Sequence, residues 1–199
     1  MKYMWSDSVK VHPWVGQHYE KPMHLLHRTL ILGESNFTEP GKFNNGLVQE
    51  CVIDDMSTDP SRERDTTGFC RFSTKIRRII FGREESVGPE RFWQDVAFYN
   101  FVQTLVGGKA RIRPTQEMWD ESAPAFVEIV STLKPARILV PGRANWNNLL
   151  AHIAHESVES QRCLLQVGSN LVSAGYVNHP SSSLSYDKWH PIAKELLFA

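Results

Sequence analysis

Apolar runs and helix-like segments alternate along most of the chain. Runs of consecutive apolar residues predict buried strands at 28–35, 95–103 and 136–142. A turn-linked pair of apolar segments predicts two further strands, at 163–168 and 171–178. Helices are predicted, mainly from apolar residues at helical spacing, over 44–60, 66–82, 115–133, 143–154 and 186–198.

The order of these elements indicates the fold class. Strands that alternate with helices are typical of an α/β protein in which a mostly parallel sheet is covered on both faces. A length of 199 residues suits one domain, so we expect a single domain over 1–199. The first 26 residues are rich in His, Trp and Pro, and we expect them to form an irregular lead-in.

Polar loops follow the predicted strands. In open α/β sheets the functional residues gather on loops beyond the C-terminal ends of the strands. We therefore expect four loops to lie together around one crevice, and these loops are 33–37, 100–103, 142–145 and 178–183. We therefore expect the functional residues to lie on these loops.

The composition excludes few classes of protein. The formal net charge is zero, which gives no sign of a polyanionic partner, although a neutral chain can carry a basic face. The three cysteines, Cys51, Cys70 and Cys163, are widely spaced and too few for a four-cysteine metal site, so we expect no metal and no cofactor. The chain has no apolar stretch near the roughly 18 residues of a membrane span and no signal-peptide core. We expect a cytoplasmic monomer that does not bind membranes.

The side chains of the first two loops have two interpretations each. Glu34, Ser35 and Asn36 place an acid, a hydroxyl and an amide directly after a buried strand, which suits a turn as well as a binding site. Asn100 interrupts the apolar run of the second strand, and a buried amide there needs partners. It either bonds to neighbouring backbone or reads the edge of a planar ligand, and the residues leave both interpretations open.

The last loop, NHPSSSLS, combines one histidine with three serines. Taken alone, His179 is most simply a packed or solvated side chain. Ser181, Ser182 and Ser183 either cap and turn the chain or bind a phosphate with their hydroxyls and backbone N–H groups. Each signal is weak separately, and the three loops in this order are much more specific.

The order of these motifs resembles the uracil-DNA glycosylase superfamily. The motifs are ILGESNF after the first strand, the Asn that ends the apolar run of VAFYNFVQ, and NHPSSSLS after the last strand. The resemblance runs from about residue 27 to 199 and is one of motif type and spacing. It implies a three-layer α/β/α sandwich around a mainly parallel four-stranded sheet. It also implies a monofunctional hydrolase that flips a nucleotide out of double-stranded DNA and cleaves its N-glycosidic bond.

The resemblance assigns functions to several residues of the last loop and to Asn100. His179 would donate a hydrogen bond to the carbonyl oxygen of the departing base. Asn100 would read the pairing edge of that base. Ser181, with Ser182 and Ser183, would hold a DNA phosphate, and Leu184 would insert into the gap left by the flipped nucleotide.

The first loop departs from the pattern of the best-known branch, Gly-Gln-Asp-Pro-Tyr. This chain has Gly33, Glu34, Ser35, Asn36 and Phe37 at those positions, and we expect them to form the catalytic and base-binding side of the pocket. Ser35 stands where the usual acid stands, so Glu34 is the residue expected to orient water. Phe37 replaces the Tyr that excludes C5 substituents. The altered wall implies a larger or modified pyrimidine, such as the modified cytosine of phage DNA, and hence antiviral defence.

Basic residues cluster in two segments. Lys109 and Arg111 lie in a segment with Arg113, just beyond the second-strand loop, where we expect a DNA backbone to pass. The second segment contains Arg71, Lys75, Arg77, Arg78 and Arg83, and most of these residues are expected to be solvated surface charges.

Two other classes of function fit parts of the sequence. Ser35, Asp187 and His190 resemble the nucleophile, acid and base of a Gly-Asp-Ser-type esterase, although the first block has Glu for Asp. The simpler interpretation of Asp187 to His190 is a helix N-terminus capped by Ser185 or Asp187. The third class is a catalytically inactive nucleic-acid-binding module, which the serine at the position of the usual acid supports.

Overall fold

The structure is a computed structural model, and it describes residues 3–57, 68–83, 87–108, 112–159, 161–182 and 184–199. Three residues expected to bind DNA phosphates lie outside the described residues, namely Lys109, Arg111 and Ser183. Pro60, the expected end of the first predicted helix, also lies outside them.

The described residues form an α/β fold. Its strands are β1 Trp14–Val15, β2 Thr29–Gly33, β3 Asn36–Phe37, β4 Val96–Asn100, β5 Leu105–Gly107, β6 Arg137–Pro141, β7 His155–Glu159, β8 Arg162–Val167 and β9 Asn170–Val177. Its helices are α1 Leu47–Ser57, α2 Gly68–Phe81, α3 Pro89–Asp95, α4 Gln116–Leu133, α5 Arg143–His152 and α6 Tyr186–Phe198. All the predicted strands and helices are present, so the predicted α/β class is confirmed.

The main sheet is mixed and has seven strands in the order β1-β4-β2-β6-β9-β8-β7. The four central strands, β4, β2, β6 and β9, run parallel, whereas β1, β8 and β7 pair antiparallel at the edges. The expectation of a four-stranded sheet is therefore wrong in the number of strands. All residues of β7 are exposed, so its sequence needs no apolar run and does not reveal the strand. Strand β1 has two residues and lies inside the lead-in, which is therefore not wholly irregular.

Apolar burial explains where the central strands form. All five residues of β2 are buried, and so are the first four of β4. A strand that is buried on both faces needs a nearly continuous apolar sequence, which these segments have. The helices beside the sheet form two groups, since α2 contacts α1, α3 and α6, and α4 contacts α5.

The helix ends follow from capping side chains. Thr115 Oγ1 accepts a hydrogen bond from the backbone N–H of Met118 at the start of α4. Ser185 Oγ accepts one from the N–H of Lys188 at the start of α6. The predicted Thr115 cap is confirmed, and of the two residues predicted to cap α6, Ser185 and Asp187, it is Ser185 that does so. Both caps satisfy N–H groups that have no partner within the helix. Helix α3 was not predicted as a separate element because it has only seven residues, between Gly88 and β4.

A small second sheet extends the pairing of β2 with β4 beyond the main sheet. The N–H of Phe101 donates to the carbonyl of Gly33, and the N–H of Val102 donates to the carbonyl of Glu34, both at 3.0 Å. Strands β3 and β5 then pair in parallel. The polar first loop is thus held on the C-terminal side of the sheet.

The described cysteines are free thiols. Cys51 is half-buried, and Cys70 and Cys163 are buried. Burial raises the pKa of Cys51 to about 11 and that of Cys163 to about 12, so both are protonated at neutral pH. None of the described helices combines the length and apolar character needed to cross a membrane.

Gln103 connects three parts of the chain behind the candidate site. Its backbone N–H donates to Ser122 Oγ of α4 at 3.0 Å, and its side-chain Nε2 donates to the carbonyl of Asn100 at 3.1 Å. Its Oε1 accepts from the N–H of Val11 in the lead-in at 3.0 Å. Ser122 Oγ in turn donates to the carbonyl of Met118. This buried network fixes the end of β4.

We expect Ser122→Ala to lower the free energy of unfolding by about 1–3 kcal/mol, because the buried N–H of Gln103 loses its acceptor. Ser131→Ala is the matched control, since Ser131 lies in the same helix and makes no side-chain hydrogen bond within the described residues. That control is expected to change stability by less than about 0.5 kcal/mol. Urea unfolding measures both, and equal effects would contradict the assignment.

Candidate functional site

The candidate site lies where the four parallel strands end. Strands β4 and β2 end in register, with Asn100 opposite Gly33, and β6 and β9 end with Pro141 opposite Val177. The four predicted loops follow β2, β4, β6 and β9 in turn. The predicted clustering of these loops at one sheet edge is confirmed for their described residues.

Gly33 makes room for the side chain of Asn100. A Cβ atom on Gly33 would lie 1.9 Å from Asn100 Oδ1, a distance that no structure tolerates. The Asn100 amide therefore lies directly across the end of β2. The glycine at this position is required by close approach rather than by backbone conformation, since its φ is not positive.

Asn36 positions Asn100. The Nδ2 of Asn100 donates to Asn36 Oδ1 at 2.9 Å, and the Nδ2 of Asn36 donates to the carbonyl of Val102 at 3.2 Å. Asn36 is 4% exposed, and both ends of its amide are engaged inside the protein. Its contacts thus differ from the base contact expected of it. Asn36 belongs behind the site, where it orients the amide of Asn100.

The half-buried Asn100 keeps one donor and one acceptor open. Its Nδ2 uses one N–H on Asn36, and its Oδ1 accepts no hydrogen bond from any described residue. One N–H and one carbonyl oxygen, side by side in a plane, match the edge of a nucleobase or another cyclic amide.

Glu34 forms an ion pair at the mouth of the crevice. Nη1 of Arg113 donates to Oε1 and to Oε2 of Glu34, each at 2.8 Å. The side chain of Glu34 is only 14% exposed, whereas that of Arg113 is 70% exposed. The mostly buried carboxylate is therefore held by a cation that faces solvent.

A tight turn fixes the ring of His179. The backbone N–H of Ser181 donates to Nδ1 of His179 at 3.1 Å, and Ser181 Oγ lies 2.7 Å from the same nitrogen. The N–H and hydroxyl of Ser182 both donate to the carbonyl of His179. Because Nδ1 accepts a backbone N–H, the proton of the neutral ring is on Nε2. His179 thus presents Nε2–H as a donor.

Burial lowers the pKa of His179 below its ordinary value of 6.5. The carboxylate of Glu34 acts in the opposite direction, whereas the cations of Arg113 and Lys75 add to the lowering. The imidazole is therefore neutral at pH 7. Nζ of Lys75 donates to the carbonyl of Pro180 at 2.7 Å, so this lysine of α2 also holds the loop in place.

The start of α5 closes the site from the β6 side. Gly142 has φ +105°, and a Cβ there would lie 3.4 Å from Cβ of His179. Fully buried Asn145, in the first turn of α5, donates from Nδ2 to the carbonyl of Leu32 at 2.8 Å. The helix is thereby tied to β2, and its first N–H groups point towards the same sheet edge.

Phe72 is a candidate site residue that the sequence pattern did not reveal. Its half-buried ring lies 6.0 Å from the ring of His179 and 5.9 Å from that of Phe98. In the sequence it belongs to the apolar side of the helix predicted at 66–82, and this pattern predicts an ordinary core residue. An aromatic face beside a hydrogen-bonding histidine suits the stacking of a planar ligand.

Other predicted site residues occupy less enclosed positions. Phe37 is 53% exposed, and the ring is therefore not packed into an enclosed wall. Leu184 is partly buried and packs against the core, Ser35 is half-buried, and Ser181 and Ser182 are exposed. The roles of these side chains towards DNA stay predictions.

The three residues of the esterase hypothesis do not form a triad. Nδ1 of His190 bonds to the carbonyl of Ile79 in α2 at 2.9 Å, so the nitrogen that an orienting acid would occupy is taken. Asp187 is exposed and makes no hydrogen bond or ion pair with any described residue. His190 therefore joins α6 to α2, and the segment is a capped helix start.

A separate aromatic cleft of about 360 Å³ lies beside the lead-in. Its walls include Tyr3, Trp5, Trp14 and Tyr19, and it shares no residue with the four loops. The rings of Tyr3 and Trp5 stack at 5.8 Å. These rings pack the lead-in against the edge of the sheet.

Metal ligands do not cluster in the part of the chain that the structure describes, since no group of three or more His, Cys, Asp or Glu is arranged to hold an ion. Comparison of the sequence with protein-family models and with curated proteins finds no match. The chemistry of the crevice is therefore the basis for assigning a function.

We expect nuclear magnetic resonance titration to give His179 a pKa below 6.5, with the neutral ring protonated on Nε2. Glu34→Gln should lower this pKa further, because the carboxylate favours the charged imidazolium. Glu39→Gln, which removes an exposed carboxylate paired with Lys42, should leave it unchanged. A pKa that rises in Glu34→Gln would contradict the geometry.

Proposed function

We propose that this protein is a DNA glycosylase that hydrolyses the N-glycosidic bond of a flipped pyrimidine and leaves an abasic site. The observation that carries the proposal is the open donor and acceptor of Asn100 at the same sheet edge as the neutral Nε2–H of His179. Glu34 supplies a carboxylate at that edge. These groups can read a base and stabilise its departure.

The arrangement of the central strands supports the resemblance to the uracil-DNA glycosylase superfamily. The four parallel strands occur along the chain in the order β2, β4, β6, β9, and they lie side by side in the sheet in the order β4-β2-β6-β9. The two groups of helices are compatible with a three-layer α/β/α sandwich around these four strands. The outer strands β1, β8 and β7 of the seven-stranded sheet pair antiparallel and lie outside these four.

In the proposed mechanism the base binds first. The amide of Asn100 pairs with the hydrogen-bonding edge of the flipped pyrimidine, and the ring of Phe72 offers a stacking face. The C1′–N bond then breaks, and its electron pair leaves with the base. Negative charge develops on the base carbonyl oxygen, where Nε2–H of His179 donates a hydrogen bond.

The sugar left behind carries positive charge at C1′. The carboxylate of Glu34 stabilises that charge and orients a water molecule, whose oxygen forms the new bond to C1′. The water gives up one proton, and the departed base takes up one proton, so the reaction is a net hydrolysis. Arg113 holds this carboxylate in place, because its Nη1 donates to both carboxylate oxygens at 2.8 Å.

We propose that the substrate is a modified pyrimidine, such as modified cytosine in phage DNA, rather than plain uracil. Phe37, which stands where the resemblance places the Tyr that excludes C5 substituents, is 53% exposed and does not form an enclosed wall. Glu34 and Arg113 add polar groups at the mouth of the crevice. A larger, decorated base would fit such an opening, and antiviral defence would be the corresponding biological role.

Serines and main-chain N–H groups are the proposed contacts to the DNA backbone. The side chains of Ser181 and Ser182 are exposed on the turn that follows His179. Both hydroxyls are engaged with His179 in this structure, that of Ser182 with its carbonyl and that of Ser181 with its Nδ1, so a phosphate contact requires either hydroxyl to exchange its partner. Leu184 follows this turn and is the proposed wedge.

The expected result is alkali-labile strand scission when the protein is incubated with a modified-cytosine, uracil or damaged-base oligonucleotide. His179→Ala should lower the single-turnover rate by about 10²–10³-fold, because it removes the donor to the leaving base. His190→Ala is the matched control and should retain the rate, because His190 bonds to Ile79 in the helix packing. Gel analysis after alkali treatment measures both.

The assay also separates the alternatives. DNA retained without any product would indicate the inactive binding module, for which the serine at position 35 is the supporting observation. Turnover of a generic ester that is lost in Ser35→Ala would instead indicate the esterase. Equal losses in His179→Ala and His190→Ala would exclude the catalytic role proposed for His179, and cleavage of uracil DNA alone would exclude the modified substrate.

A further inference from the structure

We propose that Arg113 bridges a DNA phosphate to Glu34, so that binding of the DNA backbone fixes the acid in its working position. Nη1 of Arg113 holds both oxygens of Glu34 at 2.8 Å, and the guanidinium is 70% exposed. This inference rests on the proposed glycosylase function. Arg113 is a positioning residue, because it acts through Glu34 and not on the reacting atoms.

The guanidinium of Arg113 has N–H donors that the carboxylate of Glu34 does not use. One nitrogen, Nη1, makes both bonds to Glu34, and Nε and Nη2 make no hydrogen bond to any described residue. A guanidinium presents five N–H groups in a planar fork, and its free edge matches two phosphate oxygens. The same side chain can therefore hold a buried carboxylate and an outer anion at once.

The main chain fixes the point from which Arg113 extends. Ile112 packs against Gly107 of β5, where an added Cβ would lie 2.6 Å from Ile112 Cδ1. Two residues after Arg113, Thr115 caps α4. Arg113 thus lies between the contact of Ile112 with β5 and the cap of α4, and its side chain reaches Glu34, which follows the last residue of β2.

Charge explains why such a bridge is useful. Glu34 faces Arg113, while His179 is influenced by Glu34, Arg113 and Lys75, the last of which bonds to the loop carbonyl of Pro180. A carboxylate alone at the mouth would repel the DNA backbone. Paired with Arg113, it lies behind an exposed cation that can face the phosphate.

The test measures single-turnover excision and binding of an abasic-site duplex in wild type and in Arg113→Gln. We expect Arg113→Gln to slow excision at least ~10-fold, because the acid is no longer held in place. The slope of log K against log salt should fall by about 1, because one phosphate contact is lost. Arg113→Lys keeps the charge and should restore most of the binding but not the rate.

A double-mutant cycle shows whether Arg113 acts through Glu34. In the Glu34→Gln background, adding Arg113→Gln should change the excision rate by less than about 2-fold, because the bridge is already broken. Arg91→Gln is the matched control, since Arg91 is an exposed arginine of α3, which precedes β4 at the opposite edge of the sheet. Thermal unfolding should be unchanged in all these variants.

Several outcomes would overturn the bridge. The first is an excision rate and a salt slope in Arg113→Gln that equal those of the wild type. The second is a rate loss from Arg113→Gln that is as large in the Glu34→Gln background as in the wild type. The third is an effect of Arg91→Gln as large as that of Arg113→Gln. In each case wild-type excision would leave the proposed function standing. Absence of excision by the wild type on every oligonucleotide would overturn the proposed function and the bridge together.

Discussion

The parallel register of β2 and β4 is the constraint on which the candidate site depends. It places Gly33 opposite Asn100, and the amide of Asn100 occupies the space that a Cβ on Gly33 would need. From there the amide reaches Asn36, whose own amide bonds to the carbonyl of Val102. A shift of one residue would turn Asn100 to the other face of the sheet, because side chains alternate along a strand.

The electrostatics of the crevice follow from which groups are buried. Glu34 is mostly buried, and Arg113 pairs with both its oxygens. His179 is neutral because burial and two nearby cations outweigh the carboxylate. An anion, a neutral donor and an open amide at one edge form a more specific constellation than any of them alone. This constellation supports the proposed hydrolysis at a glycosidic carbon.

Much of the fold could be predicted because its central elements carry strong local signals. Strands β2, β4 and β6 are almost wholly apolar, and α4 and α6 begin at capping hydroxyls. The elements that the sequence did not reveal lack such signals. Strand β7 is polar and exposed, and β1 has two residues and exists only because β4 offers an edge to pair with.

The sequence by itself determined the α/β class, the order of the central elements and the clustering of the loops that follow β2, β4, β6 and β9, because apolar runs and helix caps act locally. Only the tertiary structure decided what each side chain in those loops does. It engages the amide of Asn36 in holding Asn100, ties His190 to α2 and brings Phe72 beside His179. It also pairs Glu34 with an arginine 79 residues away. These contacts join distant parts of the chain, and no local pattern of residues encodes them.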